Sequence, residues 1–336
     1  MGIKSSSSTH SQNTAKKAVV AIGGNAILEN GLPGTYEEQG RNIVKTARKI
    51  VSIMKNAHGF EIVALTHGNG PQVGYLDLQQ DIASAIVPRQ PMHVLIAMTQ
   101  GQLGYMIQQA LQNELMNAKI RKPVASIVTQ TVVDKNDPEF SKNIPSKPIG
   151  PLYTQEEAKE IAERNQYIIT KVKPVGDRIW RRVVPSPLPM RIVESDVVRR
   201  LVDQGYLVVA SGGGGIPVIE VGTVFQGVDG VIDKDLVAGL LGRSVGASIL
   251  LILTDIDRVK LNFGKPDETS LSEMSLEEAE RHLKDGQFAD GSMAPKIVSS
   301  IEFLKNGGES AIITSIDNAI NALHGKAGTR IVKNRS

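Results

Sequence analysis

Three glycine-rich turns each follow an apolar run directly: Gly23-Gly24-Asn25 after Ala18–Ile22, His67-Gly68-Asn69-Gly70-Pro71-Gln72 after Ile62–Leu65, and Ser211-Gly212-Gly213-Gly214-Gly215 after Tyr206–Ala210. Glycine tolerates positive φ and lets main-chain N–H groups approach an anion that a Cβ would hold away. One such turn is often only a bend. Three at equivalent strand ends, where ligands of open α/β sheets collect, point to an anion site. Three lysines stand in contexts suited to the same ligand. Lys234 lies between Asp233 and Asp235, which can hold it in one rotamer; Lys296 follows Pro295 at the start of a helix, where the dipole favours an anion; Lys147 sits between Pro145 and Pro148 in PSKPIG. Taken singly, each reads as a surface lysine before it reads as part of a site. With the glycines they form the equipment of phosphoryl transfer, whose loose transition state is stabilised by positioned cations and N–H groups rather than by covalent chemistry.

Other chemistries find less support. No G-x-x-x-x-G-K-[ST], H-R-D or D-F-G occurs, so neither P-loop nor protein-kinase machinery is present. The stretch Gly68–Gly74 imitates a dinucleotide fingerprint, but Pro71 interrupts it and no carboxylate ends a following strand. The six histidines show no metal-ligand spacing, and His67, the one beside a glycine cluster, reads as a turn-stabilising hydrogen bonder or a general base. No G-x-S-x-G elbow appears, and with no cysteine there are no disulfides, thiolate metal sites or thiol nucleophiles.

The elements that must position these groups follow from periodicity. Unbroken Val- and Ile-rich runs at Ala18–Ile22, Ile62–Leu65, Val124–Val128, Tyr206–Ala210, Ser248–Leu253 and Ala311–Thr314 suit strands buried on both faces of a mostly parallel sheet. Thr35-Tyr36-Glu37-Glu38 is a capping box opening a helix that carries Ile43, Ala47, Ile50, Val51 and Met54 on one face and stops at Gly59. Two helices, Met92–Thr99 and Gln102–Asn117, are expected next, their Met, Leu, Ile and Ala packing in the core or at a subunit interface. The Pro-rich region Asp134–Pro189, with one helix capped by Thr154-Gln155-Glu156-Glu157 and the single Trp180, breaks this rhythm. It reads as an insertion projecting from the sheet, either a lid or a rigid connector. Strands and helices then resume, so one sheet should run through both halves.

At 336 residues and a formal charge of +3, with no long run of one sign, the chain shows neither a nucleic-acid arm nor an acidic tail. No apolar run reaches the roughly 18 residues of a membrane span. A soluble, cytoplasmic protein is expected. The polar, Ser-rich residues 1–16 are expected to be a disordered leader or cloning remnant.

The motifs AVVAIGGNAI, LTHGNGPQVG, AMTQGQLGY, SKPIGP, WRRVVPSP, SGGGGIPV, GVDGVIDKDL, LTDIDRV, NFGKP and GSMAPK, in this order between Lys17 and Val332, resemble the carbamate kinases of the amino-acid-kinase fold. The resemblance implies an α/β three-layer αβα sandwich around a mostly parallel open sheet. Within a single domain, 17–336, it implies a carbamate or carbamoyl-phosphate lobe (17–205) with an inserted lid subdomain (about 137–185), and a nucleotide lobe (206–336). Gly23, Gly24 and Asn25 would hold the transferring phosphoryl group and carbamate, with Gly68, Asn69 and Gly70 completing the carbamate side. Lys147 would reach in from the lid, Lys234 and Lys296 would neutralise phosphate oxygens, and Asp235 would orient them. Ser211, Gly212, Gly213 and Gly214 would line the junction with the nucleotide, itself met by Asp233, Thr254, Asp255, Asp257 and Met293. The implied cofactor is Mg2+ with ATP or ADP, held mainly by the phosphates rather than by a protein metal site. A homodimer acting on small molecules, with no nucleic-acid or membrane partner, is implied too, as is net ATP formation from carbamoyl phosphate in arginine fermentation. A sister enzyme acting on a carboxylate such as N-acetylglutamate, and a non-catalytic nucleotide-binding protein, are the alternatives. The sequence departs from the pattern at Thr66, where serine is usual, over Asp177–Arg181, and at Arg258.

Overall fold

The computed structural model describes residues 15–28, 32–173, 175–289 and 291–334, and for Asn25 the main chain only. The expected leader lies outside the described residues except for its last two, and Lys16 already opens the first strand. The six apolar runs become β1 (Lys16–Ile22), β2 (Phe60–His67), β3 (Val124–Ser126), β4 (Leu207–Val209), β5 (Ile249–Thr254) and β7 (Ser310–Ser315) of one sheet, to which β6 (Glu273–Ser275) and β8 (Thr329–Val332), not anticipated from the sequence, add one edge. The order across it is β6-β8-β7-β5-β1-β2-β4-β3, and every neighbouring pair is parallel except β7 with β8. The sheet therefore does join the two halves of the chain.

The helices are α1 (Tyr36–Asn56), α2 (Gly70–Ala83), α3 (Met92–Asn117), α4 (Gln155–Asn165), α5 (Ser195–Asp203), α6 (Lys234–Ser244), α7 (Leu276–Lys284), α8 (Met293–Lys305) and α9 (Ala319–Leu323). The two-residue period of β1 divides the core into layers. Ala18, Val20 and Ile22 meet Ile43 and Ile50 of α1 and Leu103 and Leu111 of α3, whereas Val19 and Ala21 belong with Val237 and Leu241 of α6 and Ile297 and Ile301 of α8. Each fully buried aliphatic side chain contributes about 1.5–3 kcal/mol. The result is the three-layer αβα sandwich. Thr35 caps α1 as its sequence foretold, its hydroxyl accepting from Glu38 N at 3.2 Å while the Glu38 carboxylate accepts from Thr35 N at 2.9 Å.

One expectation needs correction. Met92–Asn117 is a single helix rather than two, running through Gly101 and Gly104. A glycine inside a helix costs only about 1 kcal/mol, and neither a cap nor a proline stands between Thr99 and Gln102 to end it. Gly104 also has a packing reason, since a Cβ there would fall 2.1 Å from Ser126 Oγ on β3.

The proline-rich middle forms its own unit: strands Lys147–Tyr153, Trp180–Val184 and Ile169–Lys171 make a three-stranded sheet against which α4 packs. Its base is a second sheet, ordered Val224–Gly227, Ile216–Val221, Gln130–Val133 and Pro189–Ile192. The unit rests on α2, where Gly74 and Gly150 touch backbone to backbone; a Cβ on Gly74 would lie 2.0 Å from Gly150 Cα. Beside that contact Asp77, 2 % exposed, ion-pairs with both Arg89 and Arg182. Asp81 pairs with Arg89 and accepts from the Tyr167 hydroxyl at 2.6 Å and from Asn165 Nδ2 at 2.9 Å.

Candidate active site

β1 is central, with β5 on one side and β2 on the other, so the turns leaving β1 and β5 open the switch point where ligands of such sheets bind. A cavity of about 530 Å³ lies there, lined by Gly23 and Gly24, Lys234, Thr254 and Asp255, and Lys296 among others. The two glycines after β1 differ in purpose. Gly23 N donates to Leu253 O at 3.1 Å, and a Cβ would press on that same carbonyl, so Gly23 lets the ends of β1 and β5 close up. Around a Cβ on Gly24 there is no atom within 4 Å, so Gly24 leaves its main chain open to the cavity. Gly68 joins them: its N donates to Ile22 O at 3.3 Å, and its Cα side faces Gly24 N and the Lys234 side chain.

The charged groups converge at the start of α6. Asp233 caps that helix, Oδ1 accepting from Asp235 N at 2.9 Å, and its other carboxylate oxygen ion-pairs with Lys147 from the inserted unit. Lys234 Nζ donates to Asp235 Oδ1 at 2.7 Å, and Lys296 Nζ, at the first turn of α8, donates to Asp235 Oδ2 at 3.0 Å and to Ser292 O at 3.0 Å. Asp235 thus bridges two lysines whose side chains are only 11 % and 12 % exposed. Burial opposes charge on Asp233, but Lys147 and Lys234 outweigh it and hold the carboxyl far below the usual carboxylate range. Burial likewise opposes charge on Lys234, and Asp235 with Asp233 raises its pKa in spite of it. Asp233 and Lys234 therefore stay ionised at neutral pH. Three lysines against two aspartates leave one positive charge for an anionic ligand to meet.

His67 is 1 % exposed, and burial pushes its pKa down to about 4, so it is neutral at pH 7. Its Nδ1–H donates to Gly68 O at 3.0 Å, which makes it the hydrogen bonder of its turn.

The Ser211–Gly215 turn is buried and faces protein. A Cβ on Gly212 would fall 2.3 Å from His67 Nε2, one on Gly213 2.1 Å from Asn69 Nδ2, one on Gly214 2.4 Å from Ile232 O. These glycines let the turns after β2 and β4 lie against each other and against the residue preceding Asp233. Ser211 takes a left-handed φ of 56°; Thr66 Oγ1 donates to Ser211 O at 2.8 Å, so threonine at position 66 supplies the hydroxyl there. The Ser211 Oγ is buried without a hydrogen-bond partner among the described residues. Asn69 uses Nδ2 on Thr99 Oγ1 at 2.9 Å, and Gly70 begins α2, a helix N-terminus suited to an anion.

Of the remaining expected residues, Asp257 stands at the same strand end as Thr254 but is turned to Asn318, whose Nδ2 donates to it at 2.8 Å, and Met293 is half-buried against the core behind α8. The side chain of Asn25 lies outside the described residues. Arg258 is half-buried. Residues not anticipated from sequence line the cavity from α1 and from the turn after β7: Asn42, Lys45, Thr46 and Lys49, with Ser315 and Asp317. The α1 set recurs at helical spacing beside the apolar face, a signal present in the sequence but hidden because Lys and Asn there read as solvated. Among the described residues, no group of three or more His, Cys, Asp or Glu could hold a metal ion.

Comparison with known proteins bears on the family and the fold. The amino acid kinase family profile matches residues 16–315. The chain is 51 % identical over 320 residues to a carbamate kinase of Thermococcus kodakarensis, covering 95 % of this chain and 99 % of that one. It is 48 % identical over 318 residues to one of Pyrococcus horikoshii, covering 94 % and 99 %. A solved carbamate kinase from Giardia lamblia bound to AMP-PNP superposes with a TM-score of 0.84 at 43 % identity, covering 96 % of this chain and all of that one.

Proposed function

This chain belongs to the amino acid kinase family and within it to the carbamate kinases, and we propose that ATP and carbamate exchange a phosphoryl group reversibly in the cavity at the ends of β1 and β5. The observation that carries the reading is the buried Lys234–Asp235–Lys296 bridge beside the open main chain of Gly24. Two cations fixed by one carboxylate need no reorganisation when charge spreads over the equatorial oxygens of the group in flight. Lys147 completes the acid side from the inserted unit, and Gly68, Asn69 and Gly70 receive carbamate with Asn25. Ser211, Gly212, Gly213 and Gly214 back the turn after β2 that carries Gly68 and Asn69, and so hold the carbamate side in place. No general base is required, because carbamate is already an anion and its oxygen attacks without losing a proton. His67, neutral and engaged with Gly68 O, is consistent with that.

Nucleotide is proposed to occupy the side formed by Thr254, Asp255, Asp257, Met293 and Lys296, with Asp233 holding Lys147 in register. Mg2+ with ATP or ADP is part of the proposal. Such an ion keeps several waters and commonly takes one or two carboxylates besides phosphate oxygens, and Asp255, a carboxylate lining the cavity, would meet it. When bound, it neutralises phosphate charge. We also propose a homodimer, which would cover the exposed Met98, Tyr105 and Met116 of α3, and a cytoplasmic location with net flux toward ATP in arginine fermentation. No helix among the described residues is long and apolar enough to cross a membrane.

A coupled assay for ATP formed from carbamoyl phosphate and ADP tests the reading. Lys234→Ala and Lys296→Ala should each lower kcat by about 10²–10³-fold, as loss of one preorganised donor does. Turnover left intact in both would remove the mechanism, and activity on an acyl phosphate instead of carbamoyl phosphate would transfer the chain to a sister acid kinase.

A further inference from the structure

We infer that α1 supplies a second basic wall to the cavity, on which Lys45 and Lys49 bind the phosphates that the nucleotide keeps after transfer. This rests on the nucleotide reading of the cavity. Lys45 and Lys49 are one helical turn apart, so both project from the same face of α1, and both line the cavity that Lys234 and Lys296 also line. Thr46 between them fastens that face to the glycine turn, its Oγ1 donating to Ala26 O at 2.9 Å. Burial of Ile43, Ala47 and Ile50 and the capping box at Thr35 make α1 a rigid carrier.

The two pairs of lysines are held differently. Lys234 and Lys296 are buried and locked on Asp235, which suits the group in flight. Lys49 ion-pairs with Asp317 of the turn after β7 through side chains 28 % and 75 % exposed, a contact of the kind worth little in water. A phosphate group offers more charge and more acceptor oxygens than that carboxylate. Lys49 therefore exchanges Asp317 for phosphate as nucleotide enters, and the α1 wall sets affinity rather than the chemical step.

Calorimetric titration of the full chain with ADP and with adenosine tests this. Lys45→Ala and Lys49→Ala should each weaken ADP binding about tenfold, as loss of a charge-assisted hydrogen bond does, while adenosine stays within about twofold. Lys49→Arg should retain ADP affinity, and Asp317→Ala should leave it unchanged or tighter. Equal losses for ADP and adenosine, or an Asp317→Ala variant that matches Lys49→Ala, would overturn the inference. An unaltered chain that binds ADP in this lysine-dependent way but makes no ATP from carbamoyl phosphate sinks the proposed reaction and supports the α1 wall. A chain that makes ATP while both alanine variants keep full ADP affinity sinks the α1 wall alone.

Discussion

Asp235 illustrates how one residue can set two others. At 3 % exposure it accepts from Lys234 and Lys296 at once, so its removal leaves two buried cations side by side with no shared partner. Asp235→Ala should destabilise the fold by about 3–5 kcal/mol, and ADP, by supplying negative charge, should restore part of the lost melting temperature. A melt that ADP leaves unmoved would show that the lysines do not face the nucleotide. His67 carries a separate expectation. Its folded-state pKa, about 4, lies below the ordinary 6.5, so as pH falls between those values the unfolded chain takes up a proton that the folded chain refuses. Stability is complete above 6.5 and declines by about 3 kcal/mol on the way to 4. His67→Gln should flatten that part of a stability-against-pH curve; an unchanged slope would mean that other groups carry it.

The contact between α2 and the inserted unit decides where Lys147 stands. Because Gly74 and Gly150 meet at backbone distance, Gly74→Ala cannot be accommodated by a side-chain shift and must push the inserted strand away. The expected outcome is a fall in kcat of at least about tenfold with ADP affinity retained, since only the acid side moves. Loss of both in equal measure would place the insert's role elsewhere. Asp77→Asn strikes the same joint electrostatically, leaving Arg182 without its carboxylate while Arg89 keeps Asp81, and should cost about 3–5 kcal/mol in denaturant unfolding. The sequence made the insert visible through its prolines and its capped helix. It concealed the joint, because Asp77, Arg89, Arg182 and Tyr167 are far apart in the chain and individually ordinary.

For the molecule as a whole, the inserted unit meets the αβα body through α2 on one side and the Lys147–Asp233 ion pair on the other. If it closes over substrate, hydrogen exchange across 137–185 should slow when carbamoyl phosphate and ADP are both present. Protection indifferent to ligand would make it a rigid connector. Local patterning was enough for six of the eight strands of the main sheet, the caps of α1 and α4, and the glycine turns and lysines of the candidate site, through unbroken β-branched runs, Thr-x-x-Glu boxes, and Gly where a Cβ would obstruct. It could not divide the glycines by purpose. Only tertiary structure made Gly24 open to a cavity, Gly23 a strand-end contact and Gly212–Gly214 the seam between two buried turns. It also brought α1 to the site that its surface-like lysines had not announced. Packing partners distant in sequence decide each of those, and no local pattern records them.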